Sequence, residues 1–117
     1  MNDSNSLLKG SLSAIILKLL SIHGHMYGYE ICQHVKGLTN GQMRITEGAI
    51  YPSLHKLESE GLLISFTEIV EGRNRKYYAV APGQEGLTES RLNLLQEFIG
   101  QLQLILNPTS LLKPTDQ

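Results

Sequence analysis

Apolar residues recur at helical spacing from Leu7 to Ile22, where Leu8, Leu12, Ile15, Ile16 and Leu19 fall on one broad face. Gly24 follows as a stop signal. Ile31 and Val35, four apart, predict a second and shorter helix over Tyr27 to Lys36, closed by Gly37. Residues 38–44 have the composition of a loop. A third helix is expected behind Thr46, whose hydroxyl can accept from an orphan backbone N–H. Ile50, Leu54 and Leu57 would face the core. At about 100° per residue the opposite side carries Gly48, Pro52, His55 and Ser59, flanked by Lys56. Pro52 cannot bond to the carbonyl of Gly48, so either a loose first turn or a helix proper that starts nearer Ala49 is expected.

Gly61 ends that helix, and the next stretch changes period. Leu63 to Val70 reads as a strand, apolar at both parities, so its facing is ambiguous. Glu71-Gly72-Arg73-Asn74 reads as a turn and Arg75 to Ala81 as the return strand. Pro82 is placed in the first turn of a last helix. There Leu92, Leu95, Ile99, Leu102 and Leu106 recur at intervals of 3 and 4, widened by Leu94, Phe98 and Ile105. The order predicts a mainly α fold with a small β-hairpin, a winged helix-turn-helix plus a C-terminal helix. The boundaries are 7–81 for the winged unit, 82–106 for the C-terminal helix, and 107–117 for a tail expected to be mobile. The Leu92 to Leu106 stripe is too long to bury against three short helices, which points to a dimer seam made of Leu92, Leu95, Phe98, Ile99, Leu102, Ile105 and Leu106.

Charge changes this picture only locally. The 117 residues carry a net charge of −1, which counts mildly against a nucleic-acid partner. Yet Arg73, Arg75 and Lys76, three of the ten basic residues, lie within four positions, and a local basic stripe can grip phosphate whatever the total. No Ser-His-Asp set, usable carboxylate pair or Gly-rich phosphate loop is present, so an enzyme is not expected. His23-x-His25, with His34 nearby, lacks partners at ligand spacing, so neither a metal nor a cofactor is expected. Cys32 stands alone, which suits a reducing, cytoplasmic setting. The run Leu7 to Leu20 has no basic flank or cleavage signal and is interrupted by Lys9, Gly10, Ser11, Ser13 and Lys18, so neither a signal peptide nor a membrane span is expected.

Several motifs, in this order and spacing, resemble the PadR family of transcriptional regulators. They are Leu8-Lys9-Gly10-Ser11-Leu12, His23-Gly24, Tyr27-Gly28-Tyr29-Glu30-Ile31, Glu47-Gly48-Ala49-Ile50-Tyr51-Pro52-Ser53-Leu54, Leu57-Glu58-Ser59-Glu60-Gly61-Leu62 and Gly72-Arg73-Asn74-Arg75-Lys76-Tyr77-Tyr78. The resemblance runs from about residue 7 to residue 100. It implies a homodimer held by the C-terminal helix, a winged-helix reader of a pseudo-palindromic double-stranded operator, and repression relieved by a hydrophobic or aromatic small molecule. It also implies phosphate contact by Tyr51 and backbone contacts by Lys9 and Tyr29. This chain departs from the family's pattern at Val80-Ala81-Pro82, where a Leu-Thr pair is usual, and in having no tryptophan.

The candidate DNA-binding residues are Lys9, Tyr29, Thr46, Gly48, Ala49, Tyr51, Pro52, His55, Lys56, Arg73, Asn74, Arg75 and Lys76. Small residues on the third helix let the backbone approach the groove, and Ala49 suits a thymine methyl. Lys56 and His55 are the polar readers, while Glu47 more simply serves the helix N-terminus. Arg73, between Gly72 and Asn74, is the candidate for minor-groove insertion. The competing reading from another class is a winged-helix module whose basic wing binds an acidic protein.

Overall fold

The computed structural model describes residues 3–108. Its elements are α1 (Asp3–His23), β1 (His25–Tyr27), α2 (Gly28–Leu38), α3 (Glu47–Ser59), β2 (Leu63–Val70), β3 (Arg73–Val80) and α4 (Glu85–Leu106). The three strands form one antiparallel sheet in the order β1-β3-β2. The core lies between this sheet and α1 to α3. It is built from Leu12, Ile16, Leu17 and Leu20 of α1, Ile31 and Val35 of α2, and Ile50, Leu54 and Leu57 of α3, with Met26, Leu63 and Tyr78 from the three strands.

The expected winged plan is present, with local corrections. α1 begins at Asp3, four residues earlier than the apolar pattern indicated. β1 was not expected. Three residues are too few to show a period, and the strand is defined only by its pairing of His25, Met26 and Tyr27 with Ala79, Tyr78 and Tyr77. Gly37 does not close α2, because the helix continues to Leu38 and Thr39 caps it. α3 is helical from Glu47, so Pro52 does not loosen its start. Its end follows the Schellman pattern: Gly61 takes a positive φ of 84°, and the Leu62 and Gly61 N–H groups donate to the carbonyls of Leu57 and Glu58.

The hairpin turn is tighter than expected. Glu71 and Gly72 alone connect β2 to β3, with φ of 51° and 77°, while Val70 already pairs with Arg73. Two positive φ values give a type I′ turn, whose twist matches that of the strands. Arg73 and Asn74 are therefore strand residues. Pro82 is not in α4 but in the turn before it: the Gln84 N–H donates to the Ala81 carbonyl at 3.0 Å, and Gly83 takes φ of 85°.

α4 packs against α1 but gives up little of its surface. Thr88 is its one fully buried residue, and Leu92 and Leu95 are half-buried. Leu94, Phe98, Ile99, Leu102, Leu104, Ile105 and Leu106 are all exposed. Beside them Ile15, Leu19, Val35, Leu38 and Met43 meet Leu92, Leu95 and Ile99 around an open groove of about 410 Å3. α4 ends at Leu106, with Asn107 as its C-cap residue. Residues 109–117 of the tail lie outside the described residues.

Candidate nucleic-acid interface

α3 presents the face the sequence assigned to it. Ile50, Leu54 and Leu57 are buried, while Gly48, Pro52, His55 and Lys56 are exposed. The Thr46 hydroxyl accepts from the Ala49 N–H at 3.2 Å, so this side chain is occupied as a cap and starts the helix. Ala49 is half-buried against the core, which leaves only part of its methyl for contact.

Tyr51 of α3 lies against the start of α2. Its ring lies so close to Gly28, at the start of α2, that a Cβ on Gly28 would stand 2.7 Å from Cζ and 2.8 Å from Oη. On α3 it neighbours His55, the ring centroids being 6.4 Å apart. Burial raises the Tyr51 phenol pKa above its ordinary value, and the Glu47 carboxylate adds to the rise while Arg75 of β3 opposes it. The hydroxyl therefore stays protonated at neutral pH and can donate a hydrogen bond.

The wing cations do not form one stripe. Side chains alternate across a strand, and buried Tyr78 marks the helix-facing side of β3. Asn74 and Lys76 share that side, and Lys76 Nζ lies 5.5 Å from the Tyr78 ring centroid. Arg73 and Arg75 lie on the outer side with Tyr77. Arg73, Asn74 and Lys76 are exposed, whereas Arg75 is half-buried, with its guanidinium 4.7 Å from the Tyr27 ring centroid.

Tyr29 is exposed near the start of α2, where its hydroxyl accepts from Gln33 Nε2. Lys9 falls within α1, and its side chain lies outside the described residues. Two cations were missed from the sequence. Lys36 and Arg44 join Tyr29, Gln33, Thr46 and Glu47 around a cleft of about 280 Å3 between α2 and the start of α3. Arg44 stands two residues before the Thr46 cap, and that position was the available signal. His23 and His34 rings touch, with centroids 4.4 Å apart. Among the described residues no group of three or more His, Cys, Asp or Glu could hold a metal ion, and no helix is long and apolar enough to cross a membrane.

Residues 16–89 match the Transcriptional regulator PadR-like family. The chain is 38% identical over 71 residues to Transcriptional regulator Rv3488 of Mycobacterium tuberculosis, an alignment covering 60% of each protein. Its fold is similar to a transcriptional regulator from Clostridium thermocellum, with a TM-score of 0.71, 27% identity and coverage of 90% of this chain and 98% of that one. It is equally similar to a PadR-like transcriptional regulator from Bacillus cereus, with a TM-score of 0.71, 25% identity and coverage of 87% and 97%. With its winged fold, the exposed face of α3 and the family match over more than half its length, the chain belongs to the PadR-like family of transcriptional regulators.

Proposed function

We propose that this regulator is a homodimeric, sequence-specific DNA-binding repressor. Residues 7–81 read the duplex and α4 holds the dimer. The observation that carries the reading is the convergence at Tyr51. The exposed face of α3 and the first turn of α2 meet at its ring, and the charge of Arg75 on the wing acts on its hydroxyl. A helix presenting Gly48, Ala49, Pro52, His55 and Lys56 suits major-groove entry, with Lys56 and His55 as polar contacts. The Tyr51 hydroxyl and the α2 N-terminus suit phosphate. Arg73 at the hairpin tip and Lys76 on the helix side supply wing charge, Asn74 lies between them, and Tyr29 and Lys9 extend the backbone contacts along α2 and α1.

The dimer reading rests on α4. Phe98, Ile99, Leu102, Ile105 and Leu106 are 37 to 72% exposed, a large apolar stripe to leave in water on a domain of this size. Pairing two α4 helices covers it, along with Leu92 and Leu95, and sets two α3 helices on half-sites about 34 Å apart. The groove beside Leu92, Leu95 and Ile99 shares its wall with that seam. A hydrophobic or aromatic effector seated there would shift the dimer between geometries of different DNA affinity.

Selection of bound duplexes from a random library, followed by affinity measurement across a salt series, tests this. A palindromic site with a steep salt slope is expected. No enrichment by a folded, dimeric protein would overturn the DNA reading. The effector step is lost if no apolar or aromatic compound changes both the melting temperature and the affinity for the selected site.

A further inference from the structure

Arg75 differs from its neighbours on the wing. Its guanidinium lies on the Tyr27 ring, 4.7 Å from the centroid. Its Nε is enclosed and has no hydrogen-bond partner. A side-on grip on phosphate uses Nε together with a terminal nitrogen, and the enclosed Nε is closed to it. The ring itself is fixed. It meets Tyr77 edge-on at 5.3 Å, and the Tyr27 backbone N–H donates to Glu30 Oε1 at 3.1 Å. The next residue, Gly28, lies against the Tyr51 ring. One continuous path of contacts therefore runs from the wing through Tyr27 and Gly28 to α3.

We propose that Arg75 is a positioning residue for DNA recognition: stacked on Tyr27, it fixes the angle of the wing to the α2–α3 unit, while Arg73 and Lys76 carry the charge that meets phosphate. The proposal rests on the DNA-binding reading above. It assigns to one of the wing's three cations a role that its charge alone would not suggest. The stack holds the outer face of β3 to β1, so loss of either partner frees the hairpin in the same way.

The test uses the full chain with Arg75→Ala, Tyr27→Leu, the double variant, and Tyr27→Phe, which keeps the ring. Melting curves confirm that each is folded. Affinity for the selected duplex is measured over a salt series. Hydrogen exchange of the Glu68 to Asn74 amides is followed without DNA. A cation–π contact of this kind predicts that Arg75→Ala and Tyr27→Leu each weaken binding by about two- to thirty-fold. Their effects should not add, the salt slope should stay unchanged, and the hairpin amides should exchange faster. Tyr27→Phe should behave as the parent protein does. A slope reduced by about 0.9 in Arg75→Ala, with Tyr27→Leu unaffected, would make Arg75 an ordinary phosphate contact and overturn the proposal. If the parent protein binds no duplex, the functional reading falls, and the exchange data still decide whether the brace exists. Hairpin amides unchanged in Arg75→Ala would remove it.

Discussion

Gly28→Ala isolates the contact on which α2 and α3 meet. The backbone of Gly28 has no positive φ, so alanine meets no conformational penalty there. Removing a glycine from the unfolded chain would by itself stabilise the protein by roughly 0.4–1 kcal/mol. Against this stands a steric cost. The new methyl would lie 2.7, 2.8 and 2.9 Å from Cζ, Oη and Cε1 of Tyr51, where ordinary contact begins near 3.4 Å. The ring must move by several tenths of an ångström. It is half-buried and packs against the core, and overpacking of this kind costs about 1–3 kcal/mol. The steric term wins, leaving a net loss of about 1 kcal/mol, or a fall of roughly 4 °C in Tm for a domain of this size. Thermal and urea unfolding of Gly28→Ala, Tyr51→Ala and the double variant form a cycle. In Tyr51→Ala the clash is gone, so Gly28→Ala should then be neutral or stabilising. Affinity for the selected duplex should fall in Gly28→Ala, since the Tyr51 hydroxyl is displaced. A Gly28→Ala protein as stable and as tight-binding as its parent would refute the packing argument.

Four further outcomes are expected. Arg73→Gln with Lys76→Gln should weaken binding to all duplexes and lower the salt slope by about 1.8 per protomer, at about 0.9 per contact; an unchanged slope would take both residues out of the interface. Ile99→Asp with Leu102→Asp places two charges in the proposed seam and should give a monomer in sedimentation, whereas a surviving dimer would move the interface elsewhere. Burial, followed by the Glu47 carboxylate, raises the Cys32 thiol pKa, so alkylation at pH 7.5 should be slower than that of free cysteine, and a faster reaction would contradict the burial. Glu71→Asn places a residue that tolerates the left-handed region at φ of 51° and should stabilise the hairpin by about 0.5 kcal/mol in urea unfolding; a destabilised variant would mean that the Glu71 side chain has a role of its own.

The sequence was most legible where one short window contains both cause and effect. Ile50, Leu54 and Leu57 announce the buried face of α3 by spacing alone. Thr46 announces its cap, and the change to strand at Leu63 follows Gly61. The apolar repeat of α4 was equally plain, because a helix that long shows its period several times. What could not be read depends on contacts between distant segments. β1 exists only because β3 lies beside it. Lys36 and Arg44 share a cleft only once α2 and α3 have packed. The division of Arg73 and Arg75 from Lys76 is a matter of parity, but β2 is apolar at both parities, so nothing local said which face meets the helices. Tyr78, buried opposite Met26 and Ser65, settles it. The brace at Arg75 and the fit of Tyr51 on Gly28 belong to the same group, since each joins residues more than twenty positions apart.

The low net charge and the exposed face of α4 explain each other on the proposed reading. A basic protein gains affinity for any duplex from its total charge. This chain, at −1, has no such reserve and must rely on a few well-placed groups. With Arg75 engaged by Tyr27, the exposed cations around the reader are Lys36, Arg44, Lys56, Arg73 and Lys76, a small set for one protomer to hold a site against salt. Two protomers joined through α4 double the contacts and fix their spacing, so the second set is delivered without a second diffusional encounter. Specificity then depends on the angles among wing, α2 and α3 within each protomer, which the Arg75–Tyr27 and Gly28–Tyr51 contacts set. A change in the α4 pairing alters the spacing between protomers while leaving those internal angles intact. That separation lets occupancy of a groove near α4 regulate affinity without erasing the choice of sequence.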